Sequence, residues 1–469
     1  MKLKGAFLAA LGVLGAAGGA NAFDTGHHYD LTRAAMKELG MNEDAIQVAQ
    51  VENWLVDYYS NQPTEGLGGE LEKLHFDNLT STDKVRNYWG NLTVNTKKAV
   101  ESAARSKDSL KVVALMGMSL HAVQDFYTHS NWVETHKGFS DAYSTRTWFD
   151  VPPPPTATAL VTGAYPNHFI IKSADHGSYT KGMNHDSYCR PRWDEAYVYA
   201  YSASVQWVSA IEKWVSAVDP NVWANAKKLT LLSKDSAGLA KDRAAAYKIS
   251  EWVSSISNDG HWKGTGSGSI KEWTAFLGVW GASEDSTFVN HFKSLKWFRN
   301  LTNGLTGSTP PKEEVPSVPS RPLNKWAIRV RTNKVEELPV GLFEAKIDMA
   351  GVPDFVGQVT IDGQVFVEAM QMDKSVISPY WHSIKFVDVG KSKIDITYDL
   401  YDEDAGMEIC DINPIVGKKK LDFSLSLSSN NVWGDITGKS GQSITSEGVK
   451  GDDARARITL TVDYRRLRQ

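Results

Sequence analysis

The spacing of hydrophobic positions changes once along this chain. Up to about residue 300 they recur every three to four residues, as a helix face requires; after residue 322 they alternate with polar ones, as strands require. LTRAAMKELG, DAIQVAQVENWLVDYYS, VRNYWGNLTVNTKKAVESAARS and DEAYVYAYSASVQWVSAIEKWVSAV carry the helical period, and the first stops at a glycine. Residues 110–134, LKVVALMGMSLHAVQDFYTHSNWVE, read as an apolar helix. Residues 136–182, with Pro152 to Pro155 and many Gly, Ser and Tyr, read as an irregular excursion of the kind that forms lids or arms. Residues 302–322, TNGLTGSTPPKEEVPSVPSRP, are rich in proline and read as a linker. WAIRVRT, FVGQVTIDGQVFVEA, WHSIKFVDV, KIDITYDLYD, LDFSLSL and ARITLTVDYR then predict an antiparallel β-sandwich. The expected fold class is multidomain α and β: an all-α domain over 23–301, a linker over 302–322 and a β-sandwich over 323–469.

A chain of 469 residues accommodates two or three such domains, and 16 Trp supply material for their cores. The net charge of −4 argues against a nucleic-acid partner recognised through backbone phosphates. MKLK, the apolar run AFLAALGVLGAAGGA and the site Ala20-Asn21-Ala22 predict a signal peptide over 1–22. Its removal leaves Phe23 at the new terminus of a secreted protein, extracellular or periplasmic. No later apolar run reaches 18 residues, so the mature chain is expected to lack a spanning helix. Cys189 and Cys410 fall in different predicted domains and read as unpaired or buried thiols. No obligate protein partner is expected.

The candidate chemistry starts in the apolar helix. His121, Asp125 and His129 stand at i, i+4 and i+8, on one face. Such groups are expensive to bury unless something binds them, and a metal ion is the commonest answer. Further ligand-type residues are His27, Asp57 in NWLVDYY, His75 in LHFDNL, and His185 and Asp186 in KGMNHDSYC before a helix carrying Asp194 and Glu195. For His28 the ordinary reading, a hydrogen-bonded core histidine, is preferred. So many imidazoles and carboxylates suit zinc and exceed what one tetrahedral ion needs. Two or three ions a few ångströms apart would fit hydrolysis of a phosphate ester.

The order of N-terminal aromatic, His, Asp, His, HxxxD and His resembles the zinc-dependent phospholipase C and P1 nuclease superfamily. The string LHAVQDFYTHSNWVE is closer to its HET-C group, named for fungal heterokaryon incompatibility. The resemblance implies an all-α fold with a zinc cleft. It implies that Phe23 binds through its amine and carbonyl with His27 beside it. Asp57, His75, His121 and Asp125 would hold a second ion, and His129 and His185 a third with Asp194 or Asp186. It places Asp57 as general base. The chain departs from the family in two ways: the His121-to-His129 spacing is shorter, and Cys189 stands four residues after His185, where a carboxylate is usual.

In the predicted sandwich, Asp348 and Asp354 flank a Gly-Pro turn, and Asp402, Asp404 and Asp411 cluster in YDLYDEDAGMEICDINP. Carboxylates converging at one end of a sandwich need a hard cation, and oxygen ligands on loops suit calcium. The Asp…Gly…Asp-Phe loop, PYWHSIKFVDV and DED…DINP resemble a C2 domain, with Glu408 able to stand in for Asp411. That resemblance implies calcium-dependent docking to phospholipid headgroups, with Val352, Met407 and Ile409 at the loop tips. The expected function is a secreted zinc-dependent phospholipase, C type by resemblance, targeted to a phospholipid membrane surface as a peripheral protein. The alternatives are a P1-like nuclease and a non-enzymatic, lipid-binding or membrane-damaging HET-C protein.

Overall fold

The computed structural model describes residues 25–60, 72–136, 142–150, 160–163, 185, 192–231, 305–338, 352–368, 371, 374–379, 381–402, 408–450 and 454–468. The chain divides into a helical unit and a β unit, with the division after Pro322.

The helical unit contains α1 (Thr25–Glu38), α2 (Glu43–Ser60), a 3-10 turn (Glu72–His75), α3 (Thr82–Arg105), α4 (Ser109–His129), α5 (Trp132–Thr135), α6 (Trp193–Val218) and α7 (Pro220–Lys227). α1 ends where the sequence predicts. Gly40 takes φ +72°, a left-handed conformation that costs glycine nothing, and Met41 N donates back to Met36 O at 3.1 Å. Asp108 caps α4 by accepting from Lys111 N at 2.9 Å. From Val112 to His129 every residue of α4 is buried, and α2, α3 and α6 pack around it. A helix enclosed on all sides is the centre of its unit. Its polar residues are therefore sealed in with it.

Two stretches of the 136–182 excursion join this core. Trp148 stacks on Trp89 at 5.9 Å between ring centroids, Phe149 meets Trp89 edge-on at 5.0 Å, and the Thr162 hydroxyl accepts from Leu79 N at 2.9 Å. Residues 142–144 form β1, and residues 137–141, 151–159 and 164–182 lie outside the described residues. The proline-rich stretch read as a linker is laid along α3 over its described part. Asn87 and Asn91 donate to Gly307 O and Thr309 O at 2.9 and 2.8 Å. Pro311 fills the space above Gly90, where a Cβ would stand 2.9 Å from the ring.

The β unit holds β1 (Ala142–Ser144), β2 (Lys325–Glu337), β3 (Phe355–Ile361), β4 (Gln364–Val367), β5 (Val376–Ile377), β6 (Trp381–Asp388), β7 (Lys393–Asp402), β8 (Glu408–Ile409), β9 (Leu421–Ser426), β10 (Asn431–Gly434), β11 (Gly438–Lys439), β12 (Ser443–Glu447) and β13 (Ala456–Arg468). One sheet runs β1-β13-β2-β5, with β12 on β13 and β6 on β2; the other runs β11-β10-β9-β7-β3-β4, with β8 on β7. Strand pairs such as β2–β13, β2–β6 and β3–β7 are antiparallel. The inner faces meet where the Trp381 ring covers Gly357 and where Tyr398 Oη and Thr332 Oγ1 share a buried hydrogen bond of 2.7 Å. The expected alternation is met: Ile328, Val330, Ile396, Leu400, Leu460 and Val462 are all buried. Cys410 is a buried free thiol whose pKa burial pushes up, while Cys189 lies outside the described residues. Among the described residues, no helix is long and apolar enough to cross a membrane.

Candidate metal centre

α4 sets His121 and Asp125 one turn apart on its buried face. α1 brings His28 and the 3-10 turn brings His75 to the same point. Asp125 Oδ1 lies 3.0 Å from His28 Nε2, and its Oδ2 lies 2.9 Å from His75 Nδ1 and 3.1 Å from His121 Nε2. His121 Nε2 and His75 Nδ1 are 3.0 Å apart. All four side chains are fully buried. Zinc–nitrogen bonds of about 2.0–2.1 Å at tetrahedral angles set donors about 3.3 Å apart. The donor separations are within a few tenths of an ångström of that. The ligand atoms of His28, His121 and Asp125 form a group able to hold a metal ion.

An outer layer fixes the tautomers. His28 Nδ1 donates to Gln124 Oε1 at 2.6 Å, and His121 Nδ1 donates to Asn53 Oδ1 at 3.1 Å. Both Nε2 atoms then turn toward Asp125. Gln124 is held in turn by Thr32 and Ser204, each 3.2 Å from its Nε2, and by Asn53 Nδ2, 3.0 Å from its Oε1. Burial, offset only in part by Asp125, brings His121 down to about 3, so it is neutral. Burial alone would raise Asp125, but the imidazoles of His121 and His28 hold it well below the ordinary carboxylate range. On a zinc reading of this group, Gln124→Leu is expected to weaken metal binding 10- to 100-fold, as loss of outer-layer partners typically does. Competition against a chromophoric chelator measures this; unchanged affinity would mean that packing alone orients His28.

Further along α4, His129 Nδ1 donates to His75 O at 2.8 Å and lies 3.0 Å from Asp77 Oδ1. Burial pushes Asp77 up despite His129. The loop delivering His75 and Asp77 has two non-glycine residues at positive φ, Phe76 at 58° and Asn78 at 63°. Such a conformation is strained for phenylalanine. Tyr88 and Trp89, with centroids 3.8 and 4.8 Å away, clamp the Phe76 ring. His185 is fixed by its backbone N, which donates to Thr128 O at 2.9 Å, and its Nε2 lies 3.1 Å from Glu134 Oε1. Burial would raise Glu134, but His185 draws it below the usual range.

Of the residues singled out by sequence, His75, His121 and Asp125 come together. His129 and His185 fall into two adjacent imidazole–carboxylate pairs. His27, expected as a ligand, packs its ring against Trp193 at 4.7 Å and Tyr197 at 6.2 Å; its neighbour His28 enters the donor group instead. Asp194 is half-buried in the first turn of α6, and the carboxylate facing His185 is Glu134. Phe23 and Asp186 lie outside the described residues, as does the side chain of Asp57 on α2. Sequence reasoning missed His28, Asp77, Glu134 and the supports Asn53 and Gln124. Glu134 had a signal: it closes the string LHAVQDFYTHSNWVE.

In the β unit, Asp402 Oδ1 accepts from Asp354 N at 2.7 Å, so these two expected calcium ligands are neighbours. Asp411 is fully buried, and its carboxylate accepts from Asn413 N at 3.0 Å and Val449 N at 2.9 Å, tying two loops together. Val352 is exposed and Ile409 is half-buried on β8. Asp348, Asp404 and Met407 lie outside the described residues.

The family model of the VWA7 N-terminal domain matches residues 29–156. That stretch contains His75, His121, Asp125, His129 and Glu134 and is less than half of the chain. No curated protein matches. Among solved structures, human GIVD cytosolic phospholipase A2 with methyl gamma-linolenyl fluorophosphonate aligns at 12% identity and TM-score 0.20, over 32% of this chain and 18% of that one. The chain thus spans under a fifth of that phospholipase. A single C2 domain of plant extended synaptotagmin 1 aligns at 14% identity and TM-score 0.21, over 32% of this chain and 99% of the domain. The tandem C2 domains of extended synaptotagmin 2 align at 13% and 0.21, over 34% and 47%. Likenesses of this degree carry no functional argument. None of these matches is a zinc phospholipase C, a P1 nuclease or a HET-C protein.

Proposed function

We propose that the helical unit is a zinc-dependent phosphoesterase that cleaves phospholipid headgroups, and that the β unit is a C2-like adaptor for a membrane surface. The observation that carries this reading is the convergence of His28, His121 and Asp125, with His75 Nδ1 beside Asp125 and His121, inside one buried centre. The donor set, three imidazoles and a carboxylate, is one that zinc prefers. Burial falls along the site: Asp125 is 0% exposed, Asp77 is 3% and Glu134 is 39%. The group at Asp125 is fully enclosed, so the proposed reactive position lies toward the more exposed His129–Asp77 and His185–Glu134 pairs. Zinc bound there would supply an acidified water and a clamp for the phosphate oxygens. The protein's own part is to exclude water around α4, hold the imidazole tautomers and keep Glu134 paired with His185 at the exposed end. Asp57 stays the proposed base from the sequence motif. Calcium at Asp354, Asp402 and their neighbours, and secretion of the chain, are further parts of the proposal.

A second reading has its own support. A shell closed by four protein donors is the form structural zinc sites take, and it fits a non-enzymatic, lipid-binding protein. Elemental analysis of the purified chain, together with mass spectrometry of products from phosphatidylcholine vesicles, separates the two. The phosphoesterase is expected to contain zinc and to release phosphocholine and diacylglycerol. Zinc-loaded protein that releases neither is structural, and release of nucleotides from single-stranded DNA instead identifies a nuclease.

A further inference from the structure

We propose that the turn Asn413–Lys420 is a docking tip for anionic phospholipid surfaces that works without calcium. It extends the membrane-surface part of the proposed function, through a turn that follows Asp411 and the acidic loop in sequence.

The turn is built rather than loose. Lys418 N donates to Ile415 O at 3.1 Å, and Ile412 N donates to Lys419 O at 3.0 Å. Asn413, fully buried, stiffens it from beneath: its Oδ1 accepts from Ile415 N at 2.8 Å, and its amide donates to Asp435 Oδ2 at 2.7 Å and to Lys420 O. Gly417 takes φ +81° at the bend, with open space around it.

This rigid frame points two branched aliphatic side chains outward. Ile415 is 43% exposed and Val416 is 76%, the highest among the large hydrophobic residues described. Lys418, Lys419 and Lys420 follow them directly. Lys418 pairs with Asp435 at 3.1 Å, Lys419 reaches Ile409 O at 3.3 Å, and Lys420 is exposed. Trp433, two residues before Asp435, is 41% exposed, and its ring suits the polar–apolar boundary of a bilayer.

A convex tip of this size decides the partner class. A stable protein interface buries about 800 Å² on each side, which two side chains cannot offer. A bilayer needs only a wedge that enters the headgroup boundary and cations that meet anionic lipid. Because the tip is preformed, insertion orders nothing further.

The test is sedimentation of the full chain with vesicles of phosphatidylcholine alone or mixed equally with phosphatidylserine, in calcium-free buffer with a calcium-selective chelator. Binding to the mixed vesicles is expected, weakening as salt rises. The pair Ile415→Ser and Val416→Ser is expected to bind about tenfold more weakly, as loss of two inserted aliphatic groups implies, with the thermal midpoint unchanged. Lys420→Glu is expected to erase the preference for phosphatidylserine. Parent-level binding by the serine pair, or parent protein that binds only when calcium is added, would overturn the proposal. The catalytic reading is checked separately with dispersed short-chain phosphatidylcholine, which the serine pair is expected to hydrolyse as the parent does. Failure of both proteins to hydrolyse it would count against the phosphoesterase and leave the binding result standing.

Discussion

On the zinc reading, Asp125→Ala is expected to strip the helical unit of its metal and to destabilise the metal-free fold by about 1–3 kcal/mol, as buried polar groups that lose a partner do. Asp125 is the only anion among the four converging donors, and its two oxygens face three imidazoles at 2.9–3.1 Å. Removing it takes the carboxylate partner from His28, stacked on His121 at 4.3 Å, and from His75, edge-on to His121 at 4.7 Å. Water cannot compensate, because the site is fully buried. The milder Asp125→Asn keeps the volume and one acceptor oxygen. It is expected to fold nearly as well as the parent in the metal-free state, yet to bind zinc more than 100-fold more weakly, beyond the range for loss of an outer partner. Urea denaturation of metal-free protein and zinc stoichiometry by elemental analysis read the two effects apart. Retention of parental zinc by the alanine variant would show that the ion sits elsewhere.

The spacing made the face of α4 legible, while the family resemblance, not the spacing, set His129 apart from His121 and Asp125. The i, i+4, i+8 spacing put His121, Asp125 and His129 inward, and all three are buried. Eight residues of helix rise about 12 Å, however, so His129 cannot share an ion with His121; it pairs with Asp77 instead. On α1 the pattern could not choose between His27 and His28. Buried positions follow both stripes, with Leu31 and Thr32, and Ala35 and Met36, all enclosed. Only the packing of α6 shows that His27 meets Trp193 while His28 meets Asp125. The longer strands were legible from alternation. The two-residue pieces β5, β8 and β11 were not, because a period of two cannot be established over two residues. Residues 302–322 read as linker from composition, since proline content says nothing about which surface receives the chain. The receiving surface is a glycine, Gly90, in the middle of α3.

Gly117→Val is expected to unseat the same centre without touching a ligand. A Cβ at position 117 would stand 2.3 Å from Ala49 O and 2.8 Å from Ala49 Cα. The obstacle is the backbone of α2, so no side chain can swing aside and the two helices must separate. One turn further along both, His121 Nδ1 bonds Asn53 Oδ1 at 3.1 Å. That bond sets the His121 tautomer, and a separation of about half an ångström takes it past hydrogen-bond range. Glycine inside a helix is ordinarily about 1 kcal/mol worse than alanine. Gly117→Ala therefore tests the sign: the clash should outweigh the helix gain and leave a net loss of about 1–2 kcal/mol. Gly117→Val should reach the upper end of overpacking costs, about 3 kcal/mol, and lower zinc affinity as well. Urea midpoints and chelator competition on the same samples give both numbers. A Gly117→Ala protein more stable than the parent would show that α2 can retreat freely, and that the His121–Asn53 bond does not depend on this crossing.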